Sequence, residues 1–319
     1  MPSLKVKFSC LTALLCSVLA FSVSLAEEAK APAGTVSGKS SSPAPVSEPA
    51  PPGATEIMQR CGSKNPGDDQ RSRFVVLHRD EKGKVRKSEY LRIWKDFKGR
   101  DDVSDKMILF QIYPPQAKGA TFMRVAYMPE KNRNVDQWIY LPVLKKIRRV
   151  TIRDPGDSFL NSNLTYADVG FRALTQDEHH LLGTREIGGT VYYLVESVPK
   201  EEKPLYGKRV FWFNKTDDWN QCANVRIDYY DTKGDLLKEQ FIKWQQVKDA
   251  WIWQRVLVRN VQTGTESRFF LSGVSVNTGL PDDVFSERTL VIGPKAVPKS
   301  TSPPASPKQN DKKSDKEKK

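Results

Sequence analysis

The stretch Arg73-Phe74-Val75-Val76-Leu77, followed by Asp80-Glu81-Lys82-Gly83 and then by residues 85–97, decides the fold class. The two outer runs are rich in β-branched and aromatic residues, which are enriched in strands. Gly83 lies between them and can adopt the positive φ that a tight turn requires. The stretch therefore predicts a β-hairpin.

The same pattern recurs along the rest of the chain. Asp231-Thr232-Lys233-Gly234 separates residues 225–230 from 236–247, and Gly188-Gly189 precedes 190–198. Further predicted strands are 107–113, 121–128, 137–141, 145–152, 208–214, 251–261 and 267–276. Helical patterns are confined to 54–60, 158–168 and 281–285. Ten or more antiparallel strands with few short helices predict a mainly β fold, a curved antiparallel sheet or an incomplete barrel.

The two ends differ in composition from this body. Residues 1–26 combine two early lysines, an apolar run and Ser24-Leu25-Ala26, as a cleaved secretory signal peptide does. An uncleaved anchor helix is the alternative. The Pro/Ala/Ser-rich segment 27–53 and the Lys/Pro/Ser-rich tail 295–319 are too poor in apolar residues to fold and are predicted to be disordered. One folded domain is expected over 54–294.

Composition excludes several classes of protein. Hydrophobic residues make up 38% of the 319 residues, which supplies a core and excludes wholesale disorder. After the leader, no apolar run is long enough to span a bilayer, so a polytopic membrane protein is excluded. The net charge of +13 favours anionic partners but is not by itself a nucleic-acid-binding signature.

Two cysteines, Cys61 and Cys222, remain after removal of the leader. In an oxidising compartment such a pair either forms one disulfide or stays as two separate buried thiols. The sequence leaves both alternatives open, because it does not show whether the two backbones approach each other.

Catalytic and metal-binding patterns are missing from the sequence. The three histidines are His78, His179 and His180, and adjacent residues of a strand point to opposite sides. A zinc-protease motif, a phosphate-binding glycine loop and a nucleophile elbow are all absent. We therefore predict no enzymatic activity, no metal and no cofactor. A nucleophilic cysteine with a distant histidine is the catalytic alternative.

The densest cluster of charge is basic and contains Lys145, Lys146, Arg148 and Arg149. On a strand, Lys145 and Arg149 share one side, and Lys146 and Arg148 share the other. One interpretation is a sheet edge that its cations protect against aggregation. The other is a contact site for anionic lipid head groups or for an acidic partner protein.

Two segments that flank this cluster resemble a known family. Residues 138–149 contain an aromatic-Leu-Pro strand followed by a Lys/Arg-rich strand, and residues 157–169 contain a Ser-Phe turn that ends in Tyr166-Ala167-Asp168. Together they resemble the outer-membrane lipoprotein-sorting protein family, the LolA-like group of the LolA/LolB superfamily. The resemblance covers about 54–290. The turn departs from the family where Asn161-Ser162-Asn163 replaces Gly-Ser-Asp, so Asn161 must tolerate the backbone geometry that glycine supplies.

The resemblance implies a half-open β-barrel covered by short helices, with a hydrophobic cavity for acyl chains of lipoproteins or other lipids. It implies a periplasmic carrier that moves this cargo towards the outer membrane, with an inner-membrane transporter as partner, peripheral membrane contact and no nucleic acid. The alternative is a non-enzymatic envelope accessory or scaffold protein that docks to a membrane transporter through its basic face.

The aromatic residues of the strands provide the expected cavity wall, although an ordinary core packed under helices is the alternative interpretation. We expect Phe159 and Leu160 to form an exposed flap at the mouth of the cavity. The expected acyl-chain contacts are Trp138, Tyr140, Phe159, Leu160, Trp212, Trp244 and Trp253. Lys145, Lys146, Arg148 and Arg149 are the expected contacts to head groups or to a partner.

Overall fold

The fold is a single antiparallel sheet that does not close into a barrel. The computed structural model describes residues 52–131, 133, 135–150, 155–170 and 172–298. Within these residues, 13 strands form one sheet in the order β6-β5-β4-β3-β2-β1-β13-β12-β11-β10-β9-β8-β7. Strands β6 and β7 form its two edges. The predicted mainly β fold with an open antiparallel sheet is confirmed.

The strands are β1 Asp69–Arg79, β2 Val85–Asp96, β3 Val103–Tyr113, β4 Thr121–Tyr127, β5 Asp136–Leu141, β6 Lys146–Val150, β7 Asp177–Ile187, β8 Thr190–Pro199, β9 Lys208–Asn214, β10 Asn224–Tyr230, β11 Leu236–Val247, β12 Ala250–Asn260 and β13 Glu266–Val276. The α-helices are α1 Ala54–Gly62, α2 Tyr166–Val169 and α3 Glu287–Ile292. Short 3-10 turns lie at Arg100–Asp102, Pro115–Ala117, Pro129–Lys131, Phe159–Asn161, Leu174–Gln176, Asp282–Val284 and Gly293–Ala296.

The opening hairpin has the predicted turn chemistry. Gly83 adopts φ 81°, and the side chain of Asp80 accepts hydrogen bonds from the backbone N–H groups of Lys82 and Lys84. Strands β1 and β2 then pair in continuous antiparallel register from Asp69 to Arg79. The local sequence therefore fixes both the turn and the pairing of these two strands.

Two strand predictions need correction. Strand β7 was not predicted, because it contains few β-branched residues and most of its side chains are exposed at an edge of the sheet. Lys145 does not belong to β6, since it lies in the preceding turn with φ 48°. The end of that predicted strand, residues 151–152, lies outside the described residues.

The sheet has two covered faces, which we call inner and outer. The inner face carries Phe74, Val256 and Phe269 and is covered by the segment between β6 and β7. We call residues 155–170 of this connection the crossover segment. The outer face of strands β2–β5 carries Ile93 and Ile108 and is covered by the C-terminal segment. Since both faces are covered, several strands are apolar on both sides.

The ordered body continues past the predicted boundary at residue 294. Val297 is only 5% exposed and packs in the outer-face core with Leu290. The prediction of a disordered tail from residue 295 was therefore wrong for its first residues. The predicted signal peptide 1–26, the predicted linker up to residue 51 and the rest of the predicted tail, from residue 299, lie outside the described residues.

A disulfide joins Cys61 in α1 to Cys222 in the loop before β10, with Cα atoms 4.9 Å apart. Ile57 of α1 is fully buried and packs in a cluster with Val195 of β8 and Phe213 of β9. The helix is thus held on the inner face both by apolar contacts and by a covalent bond.

A buried carboxylate, Asp69, fixes the C-terminal segment to the start of β1. It accepts hydrogen bonds from Thr278 N (2.8 Å), Thr278 Oγ1 (2.6 Å), Gly279 N (2.8 Å) and Leu280 N (3.1 Å). Burial would raise the pKa of this carboxyl group, but these hydrogen bonds outweigh burial and lower the pKa below its ordinary value of 3.8. The ionised form therefore stabilises the fold.

We predict that Asp69→Asn lowers the free energy of unfolding by about 1–3 kcal/mol at pH 7, because buried N–H donors lose an acceptor. A carboxyl whose pKa is lowered by folding stabilises the protein above its unfolded pKa, and this contribution is lost as the pH falls through the folded pKa. Urea unfolding from pH 7 to pH 3 should therefore show the gap between wild type and Asp69→Asn shrinking. Asp68→Asn, at an exposed neighbour, is the control. A constant gap would contradict the assignment.

Candidate ligand-binding cavity

A cavity of about 260 Å³ lies between the inner face and the crossover segment. Its apolar lining consists of Phe74, Trp94, Met107, Phe159, Leu164, Val169, Ile242, Trp244, Trp253, Val256 and Phe269. Its polar lining consists of Arg92, Arg124, Asp168 and Gln240. The volume is slightly below the range of about 300–1,000 Å³ that is typical of small-molecule sites.

The aromatic wall of the cavity is held in place by ring contacts and hydrogen bonds. Phe74 meets Trp253 edge to face at 5.8 Å between ring centroids and stacks on Phe269 at 6.2 Å. Trp94 donates its indole N–H to Asp105 (3.0 Å), and Trp244 donates its own to the carbonyl of Asn224 (2.7 Å). Since both indoles are anchored at their polar edge, the rest of each ring is available as apolar surface.

The crossover segment follows a sharp backbone path over this wall. Leu160 and Asn161 adopt φ values of 52° and 53°, a left-handed conformation in which asparagine is tolerated better than most residues. Asn163 then binds the sheet, because its amide N–H₂ donates to Thr265 O (3.0 Å) and its backbone N–H donates to Ser267 Oγ (2.9 Å). The asparagines that replace the family's Gly and Asp are thus accommodated.

A buried ion pair fixes the end of the crossover segment. Lys238 Nζ of β11 lies 2.5 Å from Asp168 Oδ2, and the side chains are 3% and 1% exposed. Lys238 also donates to Tyr206 Oη (2.7 Å) and Asn163 O (3.1 Å). Asp168 accepts from Tyr206 Oη (3.0 Å) and from Thr165 N (2.7 Å), which closes a capping box at the start of α2.

Burial is the largest cause of the pKa shifts of Lys238, Tyr206 and Tyr229. It lowers the pKa of Lys238, and the neighbouring Asp168 carboxylate only partly opposes that shift. Burial and the same carboxylate raise the pKa of Tyr206 and that of Tyr229, whose ring centroid lies 4.6 Å from Lys238 Nζ. Both phenols therefore stay neutral at physiological pH.

Two arginines of the inner face reach the cavity and differ in their partners. Arg124 pairs with Asp105 and donates to the carbonyl of Val169 (3.2 Å) in the crossover segment. Arg92 is 8% exposed and donates to Gln70 Oε1 at 2.6 Å. Burial lowers the pKa of Arg92 to about 10, with Asp105 and Arg124 acting in opposite directions.

Three of the residues expected to contact an acyl chain line this cavity: Phe159, Trp244 and Trp253. The expectation that Phe159 is an exposed flap was wrong, because its side chain is 5% exposed and packs edge to face on Tyr166. Leu160 is half-buried and packs against the inner-face core beside the cavity without lining it.

The other three expected contacts lie on the opposite face of the sheet. Trp138 and Tyr140 pack against the outer-face core. Trp212 alternates with the inner-facing Phe211 and Phe213, and its indole donates to Asp228 (2.9 Å). Side chains alternate between the two faces within each strand, as predicted. The sequence did not show which side of β5 and β9 belongs to the inner face.

Sequence analysis missed Arg92, Trp94 and Lys238. Phe74 of β1 pairs with Tyr90 of β2, so the two side chains lie on the same face of the sheet. Arg92 and Trp94 follow Tyr90 at a spacing of two and therefore lie on that face as well. That spacing of two was visible in the sequence. The pairing of Lys238 with Asp168 was not, because the two residues are 70 positions apart.

The predicted basic cluster lies at the edge strand β6 and does not reach the cavity. Lys146 and Arg148 are exposed and form no ion pair with any described residue. Arg149 pairs with Asp136 of the neighbouring strand. In the part of the chain that the structure describes, no three His, Cys, Asp or Glu side chains group as metal ligands would. None of the described helices is both long and apolar enough to cross a membrane.

Comparisons with known proteins support this architecture. A family model of DUF1329-like uncharacterized proteins matches residues 103–291, more than half of the chain. No curated protein matches the chain. A DUF1329 family protein from Desulfovibrio piger ATCC 29098 has a similar structure, with 23% identity and a TM-score of 0.63 over 74% of this chain and 95% of that one.

Two further solved structures share the fold. One is provisionally assigned as an outer membrane lipoprotein-sorting protein domain from Vibrio parahaemolyticus, with 23% identity and a TM-score of 0.61 over 75% of this chain and 96% of that one. The other is a LolA superfamily protein from Nitrosomonas europaea, with 16% identity and a TM-score of 0.54 over 75% of this chain and 99% of that one. At these identities the likeness concerns the fold.

We predict that Lys238→Met lowers the free energy of unfolding by about 3–5 kcal/mol, because it leaves the Asp168 carboxylate buried without its cation. Limited proteolysis should then cut within residues 155–170 faster than in the wild type. Lys243→Met, at an exposed position on the same strand, is the matched control. The double variant Lys238→Met/Asp168→Asn should recover part of the loss. A double variant that is no more stable than Lys238→Met would contradict the coupling.

Proposed function

We propose that this chain, which belongs to the DUF1329-like family, is a carrier of lipids. Its fold is that of the outer-membrane lipoprotein-sorting, LolA-like group. The carrier binds acyl chains of lipoproteins or other lipids in the cavity under the crossover segment. It works in the periplasm after export by the signal peptide 1–26, and it moves its cargo towards the outer membrane. An inner-membrane transporter is its proposed partner.

The observation that carries this proposal is the aromatic cavity on the inner face. Phe159, Trp244 and Trp253 line a space that side chains do not fill, whereas an ordinary core is packed without such voids. Burial of an acyl chain there contributes about 0.8 kcal/mol for each CH₂ group. A chain of moderate length therefore binds firmly without a covalent bond or a metal, and it can be released again.

The small volume of the cavity also bears on the mechanism. A long acyl chain needs more room than about 260 Å³, so the crossover segment has to shift when cargo enters. Its contacts to the sheet are partly polar, through Asn163 and Asp168. The net free energy lost is small when water replaces the protein partner of such a hydrogen bond. The crossover segment is therefore suited to moving away from the sheet.

The alternative proposal is an accessory protein of the envelope that docks to a membrane transporter and carries no cargo. It is favoured by the exposed cations Lys146 and Arg148 on the edge strand, which no described carboxylate neutralises. Native mass spectrometry of the purified protein separates the two proposals. A co-purified lipid supports the carrier, and a clean mass that stays unchanged when lipid is added supports the accessory protein.

A cavity-filling variant tests the carrier directly. Ile242→Trp places an indole in the space beside Trp244 and should weaken the binding of a fluorescent fatty acid at least ten-fold. The stability cost of such overpacking is about 1–3 kcal/mol. The measurements are the dissociation constant of the fluorescent fatty acid and the midpoint of thermal unfolding.

The neighbouring position provides a matched control. Phe241 lies one residue earlier on β11, on the outer face, and does not line the cavity. Phe241→Trp adds the same ring outside the cavity and should leave binding unchanged. If both variants bind the fatty acid as the wild type does, the inner-face cavity is not the lipid site.

A further inference from the structure

Arg92 occupies an unusual position for a cation. It lies on β2, lines the apolar cavity and is 8% exposed. Gln70 Oε1 is its one hydrogen-bond acceptor among the described residues, at 2.6 Å from Nη1. A guanidinium group has five N–H donors, so most of those of Arg92 have no acceptor among the described residues.

The other charges around the cavity are paired. Arg124 binds the Asp105 carboxylate, and Lys238 binds Asp168. Each described carboxylate near the cavity is therefore already bound by a cation other than Arg92. Asp105 lies near two cations, Arg124 and Arg92, so one positive charge remains without a carboxylate of its own in a largely apolar space. Burying a charge without a counter-ion is unfavourable, and buried charges in proteins are normally paired.

We propose that Arg92 is the head-group site of this cavity and that it binds the oxyanion of an amphiphile, a carboxylate or a phosphate. This inference rests on the proposed carrier function and names the chemical class of its ligand. The planar fork of the guanidinium matches two oxygens of either anion. The acyl chain then extends from Arg92 along Trp94 and Phe74 towards Trp253.

The neighbouring aromatic ring supports this orientation. The Arg92 guanidinium lies 5.9 Å from the centroid of the Trp94 ring, so charge and apolar surface adjoin each other. Asp168, which also lines the cavity, does not repel the ligand strongly, because Lys238 neutralises it and Tyr206 donates to it. An anionic head group thus meets one free cation, and its chain meets an apolar wall.

The test compares three ligands with the same chain: dodecanoate, dodecyl phosphate and dodecanol. Isothermal titration calorimetry of the wild-type protein, below the micelle concentration of each ligand, gives the dissociation constants. We expect at least one of the two anions to bind ten-fold or more tightly than dodecanol. Arg92→Met should abolish this preference and leave the affinity for dodecanol within about two-fold of the wild type.

Two further variants control for long-range charge and for folding. Arg255→Met removes an exposed cation from the outer face and should keep the preference for the anion. Arg92→Lys retains the charge and should keep part of the preference, and it replaces Arg92→Met if that variant does not fold.

The outcomes separate this inference from the proposed function. If the wild type binds dodecanol as tightly as both anions, or if Arg92→Met keeps the preference, the head-group assignment is wrong and the carrier proposal stands. If none of the three ligands binds, the carrier proposal itself fails, and the head-group site fails with it.

Discussion

The connection from β6 to β7 has to cross the sheet, because these consecutive strands lie at its two opposite edges. Every other pair of consecutive strands lies side by side, and β1 pairs with β13 in the middle of the sheet. A chain that crosses a sheet face must satisfy its own backbone polar groups there, since water is largely excluded. The crossover segment does this with tight turns and a capping box.

The same segment explains why the inner face holds a cavity in place of a filled core. Phe159 and Leu164 reach down to the sheet, while Asn163 and Asp168 bind polar partners on β11, β13 and the turn before β13. These polar partners set the height of the segment above the sheet. Below the segment, Trp94 and Trp244 are anchored at their indole N–H groups. Polar anchors therefore preserve an apolar space.

The remaining covers of the sheet are held by contacts that lie away from the cavity. Asp69 holds the C-terminal segment over the outer face, and the disulfide holds α1 over strands β8 and β9. Both contacts link residues that are far apart in the sequence: Asp69 and Thr278 are 209 positions apart, and Cys61 and Cys222 are 161 positions apart. The cavity thus lies under the crossover segment, which is attached by side-chain polar contacts as well as by Phe159 and Leu164.

The sequence by itself determined the strands, the turns and the open, mainly β architecture. These depend on local preferences: β9 and β11 have the predicted bounds, and Gly83 forms the predicted turn. Strand β7 escaped prediction because an exposed edge strand needs few apolar residues. The tertiary structure decided which face of each strand turns inward, and it thereby placed Trp244 and Trp253 at the cavity and Trp138 on the other side. It also decided that Lys238 is paired and Arg92 is not, because a charge balance depends on distances in space between residues that the chain separates.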